Sequence, residues 1–106
     1  MSLIELSPSE IRYSQDSIKA TFQNGTPLSD VIADIISGRK SPNDIPSIDV
    51  YLRNGTYYSS DNRRLYVFKE VQRIQPDLKI KVILNRILFV PKLTTRNGGR
   101  SIEIRD

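Results

Sequence analysis

The chain contains neither cysteine nor histidine. Without cysteine there are no disulfides, no thiolate nucleophile and no Cys/His zinc site, and no signal of redox compartment. Without histidine the chain lacks the side chain that most often moves protons near neutral pH. Any catalysis would have to rest on carboxylates, Lys, Arg, Tyr, Ser/Thr or a metal held by oxygen ligands. Tryptophan is also absent. No apolar run reaches the ~18 residues that would mark a membrane-spanning helix. The first residues lack the basic stretch and apolar segment of a secretion signal, so the expectation is a cytoplasmic protein with no membrane partner.

What is present fits one domain, residues 1–106, with 38% hydrophobic residues for its core. Charge is distributed unevenly. Residues 1–50 carry four Lys/Arg against seven Asp/Glu, a net −3, whereas residues 51–106 carry twelve against five, a net +7. The second half is thus the electrostatic footprint, and its natural partner is an anion such as nucleic acid or a nucleotide. A basic face tuned only for solubility is the plainer alternative.

Hydrophobic periodicity outlines an α+β fold: a small mixed β-sheet with two main helices. Leu3 to Leu6 reads as a first strand that ends in a Ser7-Pro8 turn. Residues 14–22 are ambiguous, with Ile18 and Phe22 spaced to anchor a short helix capped by Ser14 or Ser17. Thr26 as cap and Pro27 as first residue open a clear helix, with Leu28, Val31, Ile32, Ile35 and Ile36 as its buried stripe. Gly38 stops it. Ile48, Val50 and Leu52 alternate with polar neighbours as a strand. Asn54-Gly55 is a two-residue hairpin turn, and Thr56 to Ser59 is the returning strand. A second helix opens at Asp61-Asn62-Arg63-Arg64, with Leu65, Phe68 and Val71 or Gln72 inward. Lys79 to Leu84 alternates as another strand. Ile87 to Val90 continues it or forms a new element, and Ser101 to Arg105 is a last strand after a glycine turn.

The strand–turn–helix junction at residues 57–64 is the candidate site. A helix start offers unpaired N–H groups and the positive end of a dipole, which suit an anion. Arg63 and Arg64 add guanidinium forks matched to phosphate oxygens. Ser60 and Asn62 add small hydrogen-bonding groups. The competing interpretation has Asp61 or Asn62 capping the helix while the arginines pair with acids such as Asp61 or Glu70. Tyr57, Tyr58 and Tyr66 are candidates for base stacking, although alternation sends one of Tyr57/Tyr58 inward. Gln15 and Asp16, and Arg96 and Arg100 around the Asn97-Gly98-Gly99 turn, are secondary candidates. No metal-ligand set stands out; Asp61 with Glu70 or Asp16 could offer oxygen to Mg²⁺.

The run Ile45-Pro46-Ser47-Ile48-Asp49-Val50, followed by Asn54-Gly55-Thr56-Tyr57-Tyr58 and Asp61-Asn62-Arg63-Arg64-Leu65, resembles the ParB/sulfiredoxin-like superfamily over roughly residues 3–86. That resemblance implies nucleotide-phosphate contact by Arg63 and Arg64; the cofactor is left open between a nucleotide and Mg²⁺. Asn62 stands where ParB-like proteins have Glu and sulfiredoxins their reactive Cys, and Asp61 stands where both commonly have Gly. Sulfiredoxin chemistry is therefore excluded, and two residues of ParB-type CTP hydrolysis are missing. Ile11 to Ile18, Asp61 to Leu65 and Thr94 to Ile102 also resemble ParB-like domains at the C-termini of bacterial Rhs-type polymorphic toxins. This likeness implies an effector delivered into a target cell, a nuclease with Asp61 and Asn62 as catalytic candidates. The functional expectation is a nucleic-acid or nucleotide binding domain, with a non-catalytic protein-interaction adaptor as the alternative.

Overall fold

The computed structural model describes residues 2–85 and 97–105. Strand β1 (Ser2–Leu6) leads through a 3₁₀ turn at Pro8–Glu10 into β2 (Ile11–Tyr13) and β3 (Ser17–Lys19). Helix α1 (Leu28–Ile36) follows, then a second 3₁₀ turn at Pro42–Asp44 and the hairpin of β4 (Ile48–Arg53) and β5 (Thr56–Ser59). Helix α2 (Asn62–Ile74), β6 (Ile80–Asn85) and β7 (Glu103–Arg105) complete the order. The result is the expected α+β architecture, with a mixed five-stranded sheet ordered β1-β6-β4-β5-β2 and two helices.

The sheet is mixed because β4 meets β6 in parallel after the β5–α2 crossover, while β1–β6 and β4–β5 pair antiparallel. Register places Ile4 and Ile48 on either side of Val82, and Ser59 and Leu84 on either side of Val50. One row of apolar side chains therefore crosses the sheet and packs against Leu28, Val31 and Ile35 of α1 and Leu65, Phe68 and Val71 of α2. Residues two apart in a strand and three or four apart in a helix reach this core, which is why the local periodicity located them. Asn54 and Gly55 both adopt positive φ (51° and 78°), the backbone that a two-residue hairpin matching strand twist requires.

Four local expectations are corrected. Residues 17–19 form a strand rather than part of a helix: Ile18 is buried while Lys19 faces solvent, a period of two. Thr26 does not cap α1. Pro27 is the cap residue, and the Leu28 N–H is taken by the Ala20 carbonyl at 2.9 Å. Ile36 and Leu52 end up 41% and 49% exposed, because each lies at the end of its element beyond the edge of the core. The final strand is shorter than expected, beginning at Glu103. Ile87 to Val90 lies outside the described residues.

The C-terminal segment is folded back onto the body. β7 pairs in parallel with β3 as a separate two-stranded ribbon. Just before it, the Tyr13 N–H donates to the Gly99 carbonyl at 2.9 Å. A Cβ at position 99 would clash with the Tyr13 backbone carbonyl oxygen, and the φ of Gly99, +75°, is one that residues with side chains rarely adopt. Only glycine lets the two backbones approach this closely.

Candidate phosphate-binding cleft

The returning strand β5 delivers the chain to the start of α2 through four hydrogen bonds. Ser59 is buried and its hydroxyl accepts the Asp61 N–H at 2.9 Å. The Ser60 N–H is held by the Asp49 carbonyl at 3.2 Å. Asp61 is the helix cap: its carboxylate accepts the Arg64 N–H at 3.4 Å, and its carbonyl accepts the Leu65 N–H at 3.1 Å. Asn62 is buried and turned toward β2. Its carbonyl oxygen accepts the Ser14 N–H at 2.9 Å and its amide donates to the Ser14 hydroxyl at 3.0 Å. The amide thereby ties the start of α2 to the segment leaving β2.

The two arginines part company. Arg64 Nε lies 3.2 Å from the Asp61 carboxylate and its Nη1 donates to the Pro46 carbonyl at 3.4 Å. This is the capping-and-pairing arrangement weighed against phosphate binding. Arg64 faces a hollow of about 400 Å³ on the α1 side, between Phe22, Lys40 and Pro46. Arg63 also lines that hollow, donates from Nη1 to the Thr21 carbonyl at 2.9 Å and, unlike Arg64, lines a polar cleft on the other side as well.

That cleft, of about 460 Å³, lies between the start of α2 and the β3–β7 ribbon. It brings together Gln15, Ser60, Asp61, Asn62 and Arg63 from the sequence candidates. Ile18, Lys19, Gln23 and Arg105 also line it and were not among those candidates. Among the described residues its three cations are Lys19, Arg63 and Arg105, and its one acid, Asp61, is already paired with Arg64. Lys19 and Arg105 are direct register partners in the parallel ribbon. Like charges set opposite one another on neighbouring strands repel, and an anion between them relieves that repulsion. The Arg105 Nε is steadied by the Ser17 hydroxyl at 2.8 Å.

The other candidates lie elsewhere. The Asp16 carbonyl accepts the Glu103 N–H at 2.7 Å and so helps hold the ribbon beside the cleft. Arg100 lines a separate groove against the middle of α2, and Arg96 lies outside the described residues. Tyr57 and Tyr66 pack partly against the core. Asp61 and Glu70 are nine residues apart on one helix, about 13 Å along its axis, and Glu70 is engaged by Arg73 at 3.4 Å. Among the described residues no group of three or more acids is placed to hold a metal ion. No helix among them is long and apolar enough to cross a membrane.

No signal in the local sequence marks Lys19 or Arg105, because their pairing joins the two ends of the chain. No family model, no curated protein and no solved structure matches this chain. The class that the fold defines is accordingly an α+β domain with a mixed five-stranded sheet.

Proposed function

We propose that the protein is a phosphate-recognition domain whose ligand is a nucleotide or nucleic acid, bound in the cleft between α2 and the β3–β7 ribbon. The observation that carries this reading is the placement of Lys19 opposite Arg105, with Arg63 across the cleft and no free acid among the described lining residues. The start of α2 adds the positive end of a thirteen-residue helix dipole to the same space. Ser60 and Gln15 supply neutral hydrogen-bonding groups on the rim. Asn62 acts by fixing the helix start rather than by touching ligand, since both ends of its amide are taken by Ser14. The order of hairpin, turn and arginine-bearing helix start is the one on which the resemblance to ParB/sulfiredoxin-like domains rests, and it supports kinship with them as part of the same proposal.

The test is titration of the protein with a nucleoside triphosphate and with short DNA and RNA strands at several salt concentrations. Replacing Lys19, Arg63 and Arg105 singly by Gln should weaken binding and lower the salt slope by about one for each phosphate left without its cation. Arg64→Gln should change affinity much less. Wild-type binding by the triple variant would place the ligand elsewhere. Incubation of plasmid and RNA with Mg²⁺ or Mn²⁺ adds the catalytic readout: cleavage abolished by Asp61→Ala would extend the reading to a nuclease.

A further inference from the structure

On the far side of the C-terminal segment a groove of about 470 Å³ runs between Tyr13, the middle of α2 and residues 100–102. Its size is that of a small-molecule site. Tyr13, Tyr66 and Ile102 make an apolar wall, and the charged lining is Lys69, Glu70, Arg73 and Arg100. Glu70 is the single acid among the described lining residues, and Arg73 holds it at 3.4 Å. Lys69 is half-buried, with Nζ 4.6 Å from the centre of the Tyr13 ring. Among the described residues no carboxylate pairs with it.

We propose that this groove is a second anion site, one that takes a phosphate or carboxylate carried on an apolar or aromatic body. Lys69 and Arg100 would hold the anion while the body lies against Tyr13, Tyr66 and Ile102. The proposal goes beyond the cleft at the start of α2, shares no residue with it and does not depend on it. Its basis is an ammonium group with no carboxylate partner among the described residues: it lies over the Tyr13 ring, partly withdrawn from water and set near further positive charge. Burial first, and Arg12 second, lower the Lys69 pKa to about 8. An anion that enters beside it opposes both effects, because an opposite charge favours the protonated form.

Among the described residues, the groups that face Lys69 are Tyr13 and Arg12 from β2, Tyr66, Glu70 and Arg73 from α2, and Arg100 from the C-terminal segment. Burial raises the Tyr13 and Tyr66 hydroxyls, with Glu70 adding to both, so they stay neutral where Lys69 titrates. A phosphate monoester gains its second charge near pH ~6. Binding should therefore be tightest between that value and about 8, where Lys69 loses its proton.

The experiment follows the Lys69 side-chain carbon resonances of the full chain through a pH titration, with and without phenyl phosphate, inorganic phosphate or benzoate. The expected result is that phenyl phosphate moves the Lys69 titration up toward the ordinary lysine value and binds more tightly than inorganic phosphate. Benzoate shows whether a carboxylate serves as well. Lys69→Met, which keeps the stem over Tyr13, should cost about tenfold in affinity, the loss of one charged hydrogen bond. Arg100→Gln, on an exposed residue, should weaken binding several-fold and carries the test if Lys69→Met fails to fold. The Lys19/Arg63/Arg105 triple variant should leave the Lys69 response intact. A Lys69 titration unmoved by saturating phenyl phosphate and benzoate, or wild-type affinity in both groove variants, would overturn the proposal.

Discussion

Asn62 closes a two-point clamp on Ser14: its amide oxygen takes the backbone N–H at 2.9 Å and its amide nitrogen donates to the hydroxyl at 3.0 Å. Both residues are buried, so the pair is a fixed joint between the start of α2 and the end of β2. A residue singled out for its chemistry next to two arginines therefore serves first to position them.

Breaking that joint should be costly. Asn62→Ala strands a buried N–H and a buried hydroxyl, and loss of about 2–3 kcal/mol is expected. Ser14→Ala removes only the hydroxyl half and should cost about 1 kcal/mol. Urea unfolding of the two single variants and the double variant measures this directly. A sum of independent effects, with no coupling between the two sites, would contradict the clamp.

Gly99→Ala should detach the C-terminal segment. The added Cβ would clash with the Tyr13 backbone carbonyl oxygen, and the residue sits at a φ of +75°. Gly25 has a comparable φ of +87° but open space around it, so Gly25→Ala should cost only the conformational term of about 1 kcal/mol. Hydrogen exchange at Tyr13, Ala20 and Glu103, whose N–H groups bond across to or from this segment, distinguishes the two. Fast exchange at all three in Gly99→Ala alone is the expected pattern.

Asp61 and Arg64 should matter more to stability than to ligand. Asp61→Ala removes the cap of α2 and should cost about 1 kcal/mol. The Asp61–Arg64 pair is about one-third exposed on both sides, so Arg64→Ala should cost less than about 1 kcal/mol. Thermal melts of both variants, set beside the affinity of Arg63→Gln for a nucleotide, separate capping from binding.

Alkaline pH should first stabilise and then destabilise the fold. Lys69 titrates near 8 when folded and near 10.5 when unfolded. Between those values the unfolded chain binds the extra proton, so stability rises with pH. Tyr13 and Tyr66 behave oppositely: burial raises them above 10.0, so the folded chain keeps protons that the unfolded chain loses. Stability should therefore climb from about pH 8 and fall again above about 10. Denaturation midpoints across this range test it, and Lys69→Met should flatten the rise while leaving the fall.

The sequence by itself determined the first strand, the β4–β5 hairpin, β6 and both helices, and most of the positions they bury. Ile48 and Val50 at a spacing of two, Leu65, Phe68 and Val71 at a spacing of three, and the Asn54-Gly55 turn are all local signals. They work because backbone geometry repeats over a few residues. The start of α2 was legible for the same reason, down to the rival roles of Asp61 as cap and Arg64 as its ion-pair partner. The division of labour between Arg63 and Arg64 was not, because it depends on which neighbouring carbonyl each guanidinium reaches: Thr21 for one, Pro46 for the other. The tertiary structure alone decided that residues 17–19 are a strand, since their partner, Glu103–Arg105, lies at the other end of the chain. It alone set Lys19 against Arg105, turned Asn62 inward onto Ser14 and laid Lys69 over Tyr13. Each of these is a meeting of residues distant in sequence. Such meetings are fixed by how the whole core and the glycine-hinged C-terminal segment pack, and no short stretch of sequence encodes that.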